Sequence, residues 1–574
     1  MATRRFPPAL SLPRHFLCGS TAFSSMRDTK AIARTANIAQ HMSAAPSRAA
    51  SSAATSPVTA HMDASVQYLS EGSTRVIQLN RERAINALNQ DMINRIRASL
   101  EEIKKSPNAA TVLLRGVGRG LCAGGDIMDI VLNADKKSKE ERQEAVRFFQ
   151  TEIEADYAIA TLADASAELG RPKWYISYMD GISFGGGIGL SIHAPFRVST
   201  ERTLASMPET AIGYFPDVGV TSHFARMDGQ TGMYLALTGE RLNGADTYLL
   251  GLATHFVRSN LLEELARRLA DMPLDQVTDA NVVNACIDEF ASDPYASDAE
   301  NGEELARNSR FLGDRRIALD YAFGRASVEQ IFAALGEIAA AKPDADAVKT
   351  LATRGLSPIP DMVKQFAAET LETLKTRSPR SLKVTFKAMR MAREMTLEEV
   401  MHQCMHIATV LTDLSVGRDF YVGVMHMLQK DPATGKRRTG HAAWNPATLE
   451  EVDDALLDAL FFKNADSAHK AGLQLSIPKL ANVPLSTNAR DERKKRTAQL
   501  RGLGPLHWEP QHNQFALPSE AECAALAGGF HPAAGSYVQS NSEMILTLMQ
   551  HKHDKPSLRL KVEDWQRRMD LMRK

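Results

Sequence analysis

Two glycine-rich turns, each following a short apolar run, constrain this chain more than any other feature. The first, GLCAGGD (120–126), follows ATVLLRGVG (110–118); the second, DGISFGGGIGL (180–190), ends the run KWYISYMDG (173–181). Gly185, Gly186 and Gly187 strip one turn of side chains, so a neighbour can approach the backbone and its amide N–H groups are left free to point at it. Two such turns side by side make a pair of donors suited to a carbonyl oxygen that becomes an oxyanion. A dinucleotide or phosphate reading fits less well. GGGIGL lacks the G-x-G-x-x-G spacing, and neither turn ends in the Gly-Lys-Ser/Thr of a P-loop. Taken singly, each turn is also what a close-packed structural bend requires.

The surrounding pattern alternates short apolar runs with helix-like stretches. Strands are expected at 74–80, 110–118, 173–181 and 196–200. DMINRIRASLEEIKK (91–105) reads as an amphipathic helix with Ile93, Ile96 and Leu100 on one face. Strands spaced by helices imply an α/β domain. Residues 261–462 read as mostly helical, with Thr396 and Glu399 in capping-box spacing. After about residue 463 the texture changes to a charged run, NARDERKKRTAQLRG (488–502), and a second capping box at Ser519 and Glu522. The expected organisation is therefore 1–62, a leader; 66–260, an α/β core; 261–462, a helical region; and 463–574, a C-terminal extension.

The loop ASMPETAIGYFPDVG (205–219) raises a separate question. Glu209 and Asp217 stand among Met207, Pro208, Ile212, Tyr214, Phe215 and Pro216, with no charge between them. Carboxylates in apolar surroundings are costly to ionise unless partnered. Such groups are either members of structural ion pairs or chemical groups. No Ser-His-Asp arrangement is indicated, because no G-x-S-x-G is present near the serines. His193, Trp174 and KAMRMAREM (387–395) read as packing residues.

With NRERAINALN (80–89), CAGGDI (122–127), LALTGERLNGADTYLLGLATHFV (235–257), SPRSLKVT (378–385), GRDFYVGV (417–424) and WNP (444–446), these stretches resemble the crotonase superfamily of enoyl-CoA hydratases and isomerases. Within it they are most similar to the branch that hydrolyses 3-hydroxyisobutyryl-CoA in valine catabolism. The resemblance implies an α/β fold, a spiral of ββα units followed by a helical C-terminal region, and an acyl-CoA thioester hydrolase. Carried onto matching positions, the backbone N–H groups of Gly125 and Gly186 form the oxyanion hole. The CoA adenine rests against the backbone near Ala123. Glu209 takes the acid/base place, Asp217 meets the substrate's hydroxyl end, and Glu152, in FFQTEIEADY, is a further acid lining the site. Gly189 stands where hydratases carry a second glutamate, which argues for hydrolysis over hydration. No metal and no redox cofactor is implied, since CoA is part of the substrate.

The 574-residue chain carries 68 basic and 68 acidic residues, 44% hydrophobic and 24% charged, so no net field steers it to nucleic acid. No apolar run reaches a membrane span. Residues 1–62 hold seven basic side chains against the single acid Asp28, amid Ser and Ala, which reads as a mitochondrial transit peptide and a matrix destination. Cys18, Cys122, Cys286, Cys404 and Cys523 are far apart and form neither a disulfide framework nor a zinc pattern. Fungal relatives with a C-terminal extension are components of the mitochondrial small ribosomal subunit. The alternative is therefore a ribosomal role, alone or beside catalysis, with RDERKKR (490–496) as either a docking surface or a solvated helix face.

Overall fold

The chain enters on an antiparallel pair, β1 (Val66–Glu71) and β2 (Thr74–Leu79), that turns at Gly72. From there each unit supplies one strand to a large sheet and a shorter one to a small sheet. β3 (Thr111–Gly116), β5 (Trp174–Met179) and β7 (Phe196–Ser199) extend the large sheet in parallel, while β4 (Gly120–Cys122), β6 (Ile182–Phe184) and β8 (Leu204–Ser206) build the small one. β9 (Leu242–Asn243) and β10 (His255–Phe256) complete them, giving the orders β1-β2-β3-β5-β7-β10 and β4-β6-β8-β9. Helices Ile127–Ala134 and Gly186–Ile192 follow β4 and β6. This repetition is the ββα spiral. The computed structural model describes residues 64–573 apart from 137, 431–434, 437, 439, 464–474, 478–512, 535–536 and 553. The expected leader (1–62) and the RDERKKR run (490–496) lie outside these residues.

The central strands are buried on both faces, as parallel strands between helices must be. Alternation divides their side chains between two cores. Ile77, Val112, Leu114 and Tyr175 pack with Met92, Ile93, Ile96 and Leu100 of helix Gln90–Lys105. Val76, Leu113, Ile176 and Val198 pack instead with Leu262, Leu265 and Leu269 of helix Leu262–Ala270. Asn89 caps the first of these helices by accepting from the Met92 N–H at 3.0 Å. All four sequence-based strands form where expected, and Val66–Glu71 adds an edge that its half-exposed side chains had left unmarked.

Helices dominate after β10, and both capping boxes form. Thr396 N–H donates to Glu399 at 2.9 Å and Glu399 N–H returns a bond to Thr396 Oγ1 at 3.2 Å. Ser519 and Glu522 repeat the arrangement. The described part of the C-terminal segment shares the core of the preceding helices. Phe515 stacks on Phe196 with centroids 4.9 Å apart, and Leu526, Leu548, Val562 and Trp565 pack into the cluster that holds Tyr234, Phe311 and Phe323. Each such burial contributes about 1.5–3 kcal/mol. Glu520 is gripped by two buried guanidinium groups, Arg316 at 2.9 Å and Arg568 at 2.6 Å. Among the described residues no helix is long and apolar enough to cross a membrane.

Candidate active site

The two glycine turns lie directly against each other. A Cβ placed on Gly185 would stand 3.5 Å from Gly124 Cα, and one on Gly187 would stand 2.8 Å from Cys122 Cβ. Gly124 (φ +94°) and Gly185 (φ +46°) occupy the left-handed region that side chains rarely enter, which is why both turns need glycine there. Backbone bonds fix the first turn: Leu88 N–H donates to Gly124 O at 2.8 Å, and Asp126 N–H to Leu88 O at 2.7 Å. Among the described residues, neither the Gly125 N–H nor the Gly186 N–H has a backbone acceptor. Ala123 is half-buried next to Gly124, and its N–H is bonded to Ile85 O at 2.9 Å, so its carbonyl is the polar group left to a ligand.

Glu209 opens the short helical turn Glu209–Ile212, which is held from both sides. Thr210 Oγ1 donates to Leu237 O at 3.0 Å, and Ser378 N–H donates to Thr210 O at 3.1 Å. Asp217 follows on the same loop, just before Val218, whose φ of +49° is a costly backbone state for a β-branched residue. His193 Nε2 donates to the Val218 carbonyl at 2.7 Å and steadies that conformation. Burial pushes the His193 imidazole down to about 4, so it stays neutral. Trp174 packs edge-on to Phe196 and donates to Val277 O at 2.9 Å.

Glu152 reaches the glycine turns from helix Lys139–Ala160. A Cβ on Gly186 would overlap Glu152 Oε1, and one on Gly185 would stand 2.9 Å from Glu209 Oε1. On the same helix Phe148 lies against Gly125, 3.1 Å from where a Cβ would be. The structure thus brings Gly125, Gly186, Glu152, Glu209 and Asp217 to one place, with Ala123 on the adjoining turn.

It also brings a residue that the sequence reading passed over. Asp156 lies one helical turn beyond Glu152, and its Oδ2 is 2.9 Å from the point a Cβ on Gly189 would occupy. An acid four residues after Glu152 on one helix face was the available signal. Nothing in the sequence showed what that face meets.

Electrostatically the cluster is all acid. Among the described residues none of Glu152, Asp156, Glu209 and Asp217 forms an ion pair, and Glu152 Oε1, both Asp156 oxygens and Glu209 Oε2 have no hydrogen-bond partner. Burial raises the Glu209 carboxyl well above the usual carboxylate range, with Asp217 and then Glu152 adding like-charge repulsion. Glu152 is raised by burial and by Asp217, and Asp156 by burial, Glu152 and Asp217. Burial lifts Asp217 to about 7, opposed by its own backbone N–H and by the Tyr214 hydroxyl that faces it. Tyr214 is itself fixed by stacking on Phe149 at 5.1 Å. Near neutral pH such a cluster holds protons on some carboxyls and a charge on another, the condition for moving a proton during chemistry. Among the described residues no three His, Cys, Asp or Glu side chains are arranged to hold a metal ion. A polar pocket beside Asn243, Asp246, Asn301 and Glu304 shares no residue with the cluster, and its Asp246 already accepts from Ser309 at 2.7 Å and Tyr295 at 3.0 Å.

Comparison with known proteins agrees with this arrangement. Residues 74–461 match the enoyl-CoA hydratase/isomerase family. The chain is 34% identical over 415 residues to Small ribosomal subunit protein mS47 of Neurospora crassa, covering 71% of this chain and 73% of that protein. It is 36% identical over 398 residues to the mitochondrial 3-hydroxyisobutyryl-CoA hydrolase of Xenopus laevis, covering 68% of this chain and 86% of the relative. A crystal structure of a carnitinyl-CoA dehydratase from Mycobacterium thermoresistibile is 29% identical with a TM-score of 0.53, covering 74% of this chain and 99% of that one. With well over half of its length matched and the ββα spiral in place, this chain belongs to the enoyl-CoA hydratase/isomerase family.

Proposed function

We propose that the chain hydrolyses 3-hydroxyisobutyryl-CoA to 3-hydroxyisobutyrate and CoA, a step of valine catabolism, in the mitochondrial matrix. One observation carries hydrolysis over hydration. Hydration calls for a second acid at position 189, and that position has no volume for one: a Cβ there would meet Val218 Cβ at 2.7 Å and Asp156 Oδ2 at 2.9 Å. The likeness to the Xenopus laevis hydrolase supports the substrate.

In this reading the thioester carbonyl accepts from the Gly125 and Gly186 N–H groups, and the CoA adenine rests near the Ala123 carbonyl. Water adds to the carbonyl carbon as Glu209 takes its proton, or Glu209 itself adds to give an anhydride that water then opens. In the first route the C–S bond then breaks and the departing thiolate takes the proton that Glu209 accepted; in the second the C–S bond breaks as the anhydride forms, and the thiolate takes the proton that water loses on opening it. Backbone donors hold the negative charge that builds on oxygen, and losing one such donor costs about 10²–10³ in rate. Asp217 receives the hydroxyl end, and Glu152 lines the same space. Each carboxyl is more basic than usual, which brings it closer to the pH at which a base works best. The test is appearance of free thiol when purified protein meets 3-hydroxyisobutyryl-CoA. No thiol release refutes the reading.

A second reading is favoured by the likeness to Small ribosomal subunit protein mS47: a component of the mitochondrial small ribosomal subunit, with or without catalysis. Co-sedimentation with small subunits at moderate salt tests it. Loss of the protein from those fractions at physiological salt counts against it.

A further inference from the structure

Asp156 is fully buried on helix Lys139–Ala160, and neither of its oxygens has a hydrogen-bond partner. A buried acid of this kind is costly to keep unless it has something to do. It is faced by Glu152 from its own helix, by Asp217 from the acid loop, by the Tyr175 hydroxyl of β5, and by the Cys122 and Cys404 thiols. Among these described groups there is no cation.

Its placement follows a register between two helices. Glu152 lies over Gly186 and Asp156 over Gly189, so helix Lys139–Ala160 runs alongside helix Gly186–Ile192 in the same sense. Gly186 and Gly189 are three residues apart, about 4.5 Å along a helix. A carbonyl carbon and a hydroxyl oxygen on the third carbon are three bonds of about 1.5 Å apart, which at tetrahedral angles spans about 3–4 Å. If the thioester carbonyl lies at the Gly186 N–H, the acyl hydroxyl reaches most of the way along the helix toward Gly189. There Val218 Cβ and Asp156 Oδ2 stand 2.7 and 2.9 Å from the point a Cβ would occupy. The Asp217 loop and Asp156 thus close on Gly189 from two sides, at the far end of the acyl chain's reach.

We propose that Asp156 is a specificity-determining residue of this site, accepting the hydroxyl of a short 3-hydroxyacyl thioester together with Asp217. The inference rests on the hydrolase reading above and extends it to a residue outside that reading. A site built around hydrogen bonds to a hydroxyl rejects an analogue lacking it, because its own polar atoms are then left unpaired. Asp156 therefore sets the preference for 3-hydroxyisobutyryl-CoA over isobutyryl-CoA.

The experiment compares kcat/KM on these two esters for the parent, Asp156→Asn and Asp156→Val, with thermal melting of each. Asp156→Asn keeps shape and one acceptor; Asp156→Val keeps neither charge nor hydrogen bonding. The preference for the hydroxy ester is expected to fall about 10-fold or more in Asp156→Val, as expected for a lost hydrogen bond to a charged or acidic group, and to be partly restored in Asp156→Asn. A structural role lowers the melting temperature, or both rates together, and leaves the ratio alone. If Asp156→Val is folded and active with the parental ratio, the inference is overturned while the hydrolase reading stands. If the parent cleaves neither ester, the hydrolase reading fails and this inference fails with it.

Discussion

Replacing Asp217 by asparagine separates a chemical carboxylate from an architectural one, because the two roles predict stability changes of opposite sign. Asp217 is 5% exposed and raised to about 7, mainly by burial. An unfolded aspartate titrates near 3.9. Between those values the folded chain holds a proton that the unfolded chain has released, so stability falls as pH rises through this window. Each unit is worth 1.36 kcal/mol, which makes the charge cost about 4 kcal/mol at and above pH 7 and nothing below about pH 4. Asparagine has the same shape and no charge. At about 2 cal/mol/K of unfolding entropy per residue over roughly 500 residues, the variant should melt about 4 °C higher at pH 7.5. The gain should vanish at pH 4, where the parent carboxyl is also neutral. Hydrolysis should fall by about 10² at the same time, with a greater loss on 3-hydroxyacyl esters than on esters without the hydroxyl. Melting by differential scanning calorimetry at both pH values, with thiol release on the same samples, reads all three outcomes. A lower melting temperature at pH 7.5 shows that the charge supports the fold, and the reasoning fails.

Other residues give independent checks. Glu209→Gln keeps the loop's shape and removes the proton acceptor, so kcat should fall at least ~10² with a melting temperature no lower than the parent's; a parental rate contradicts its role. Gly189→Glu should not create a hydratase. The new side chain overlaps Val218 and Asp156, so strain should lower stability by about 1–3 kcal/mol, read by denaturant unfolding, with no gain in crotonyl-CoA hydration. Glu520→Ala removes the carboxylate that Arg316 and Arg568 share, though Arg316 keeps Asp320 and Arg568 keeps Asp564, and should cost about 1.5–3 kcal/mol while sparing KM.

Much of the fold was legible because the signals were local. TRVIQLN, ATVLLRGVG, KWYISYMDG and FRVST carry enough apolar side chains to mark strands without neighbours, and Thr396–Glu399 and Ser519–Glu522 declare helix starts by spacing alone. Glu209 and Asp217 stood out because their apolar flanks are adjacent in sequence. Glu152 needed the family resemblance, since its flanks are ordinary helix. Asp156 escaped because its meaning lies in tertiary register: the side chain faces Gly189, 33 positions away, and that glycine offers nothing to contact in a sequence. How the described part of the C-terminal segment packs was illegible for the same reason. Its stacking of Phe515 on Phe196 and the hold of Arg316 on Glu520 depend on partners hundreds of positions away, and Arg568 reaches Glu520 from 48 positions on.

The most direct test of the central claim is a paired assay on one preparation: thiol release from 3-hydroxyisobutyryl-CoA against loss of the conjugated double bond of crotonyl-CoA. The account predicts rapid release of CoA with little or no hydration, because the acid cluster lies against the glycine turns and position 189 has no room for a second glutamate. Efficient hydration of crotonyl-CoA without thiol release from the hydroxy ester contradicts it.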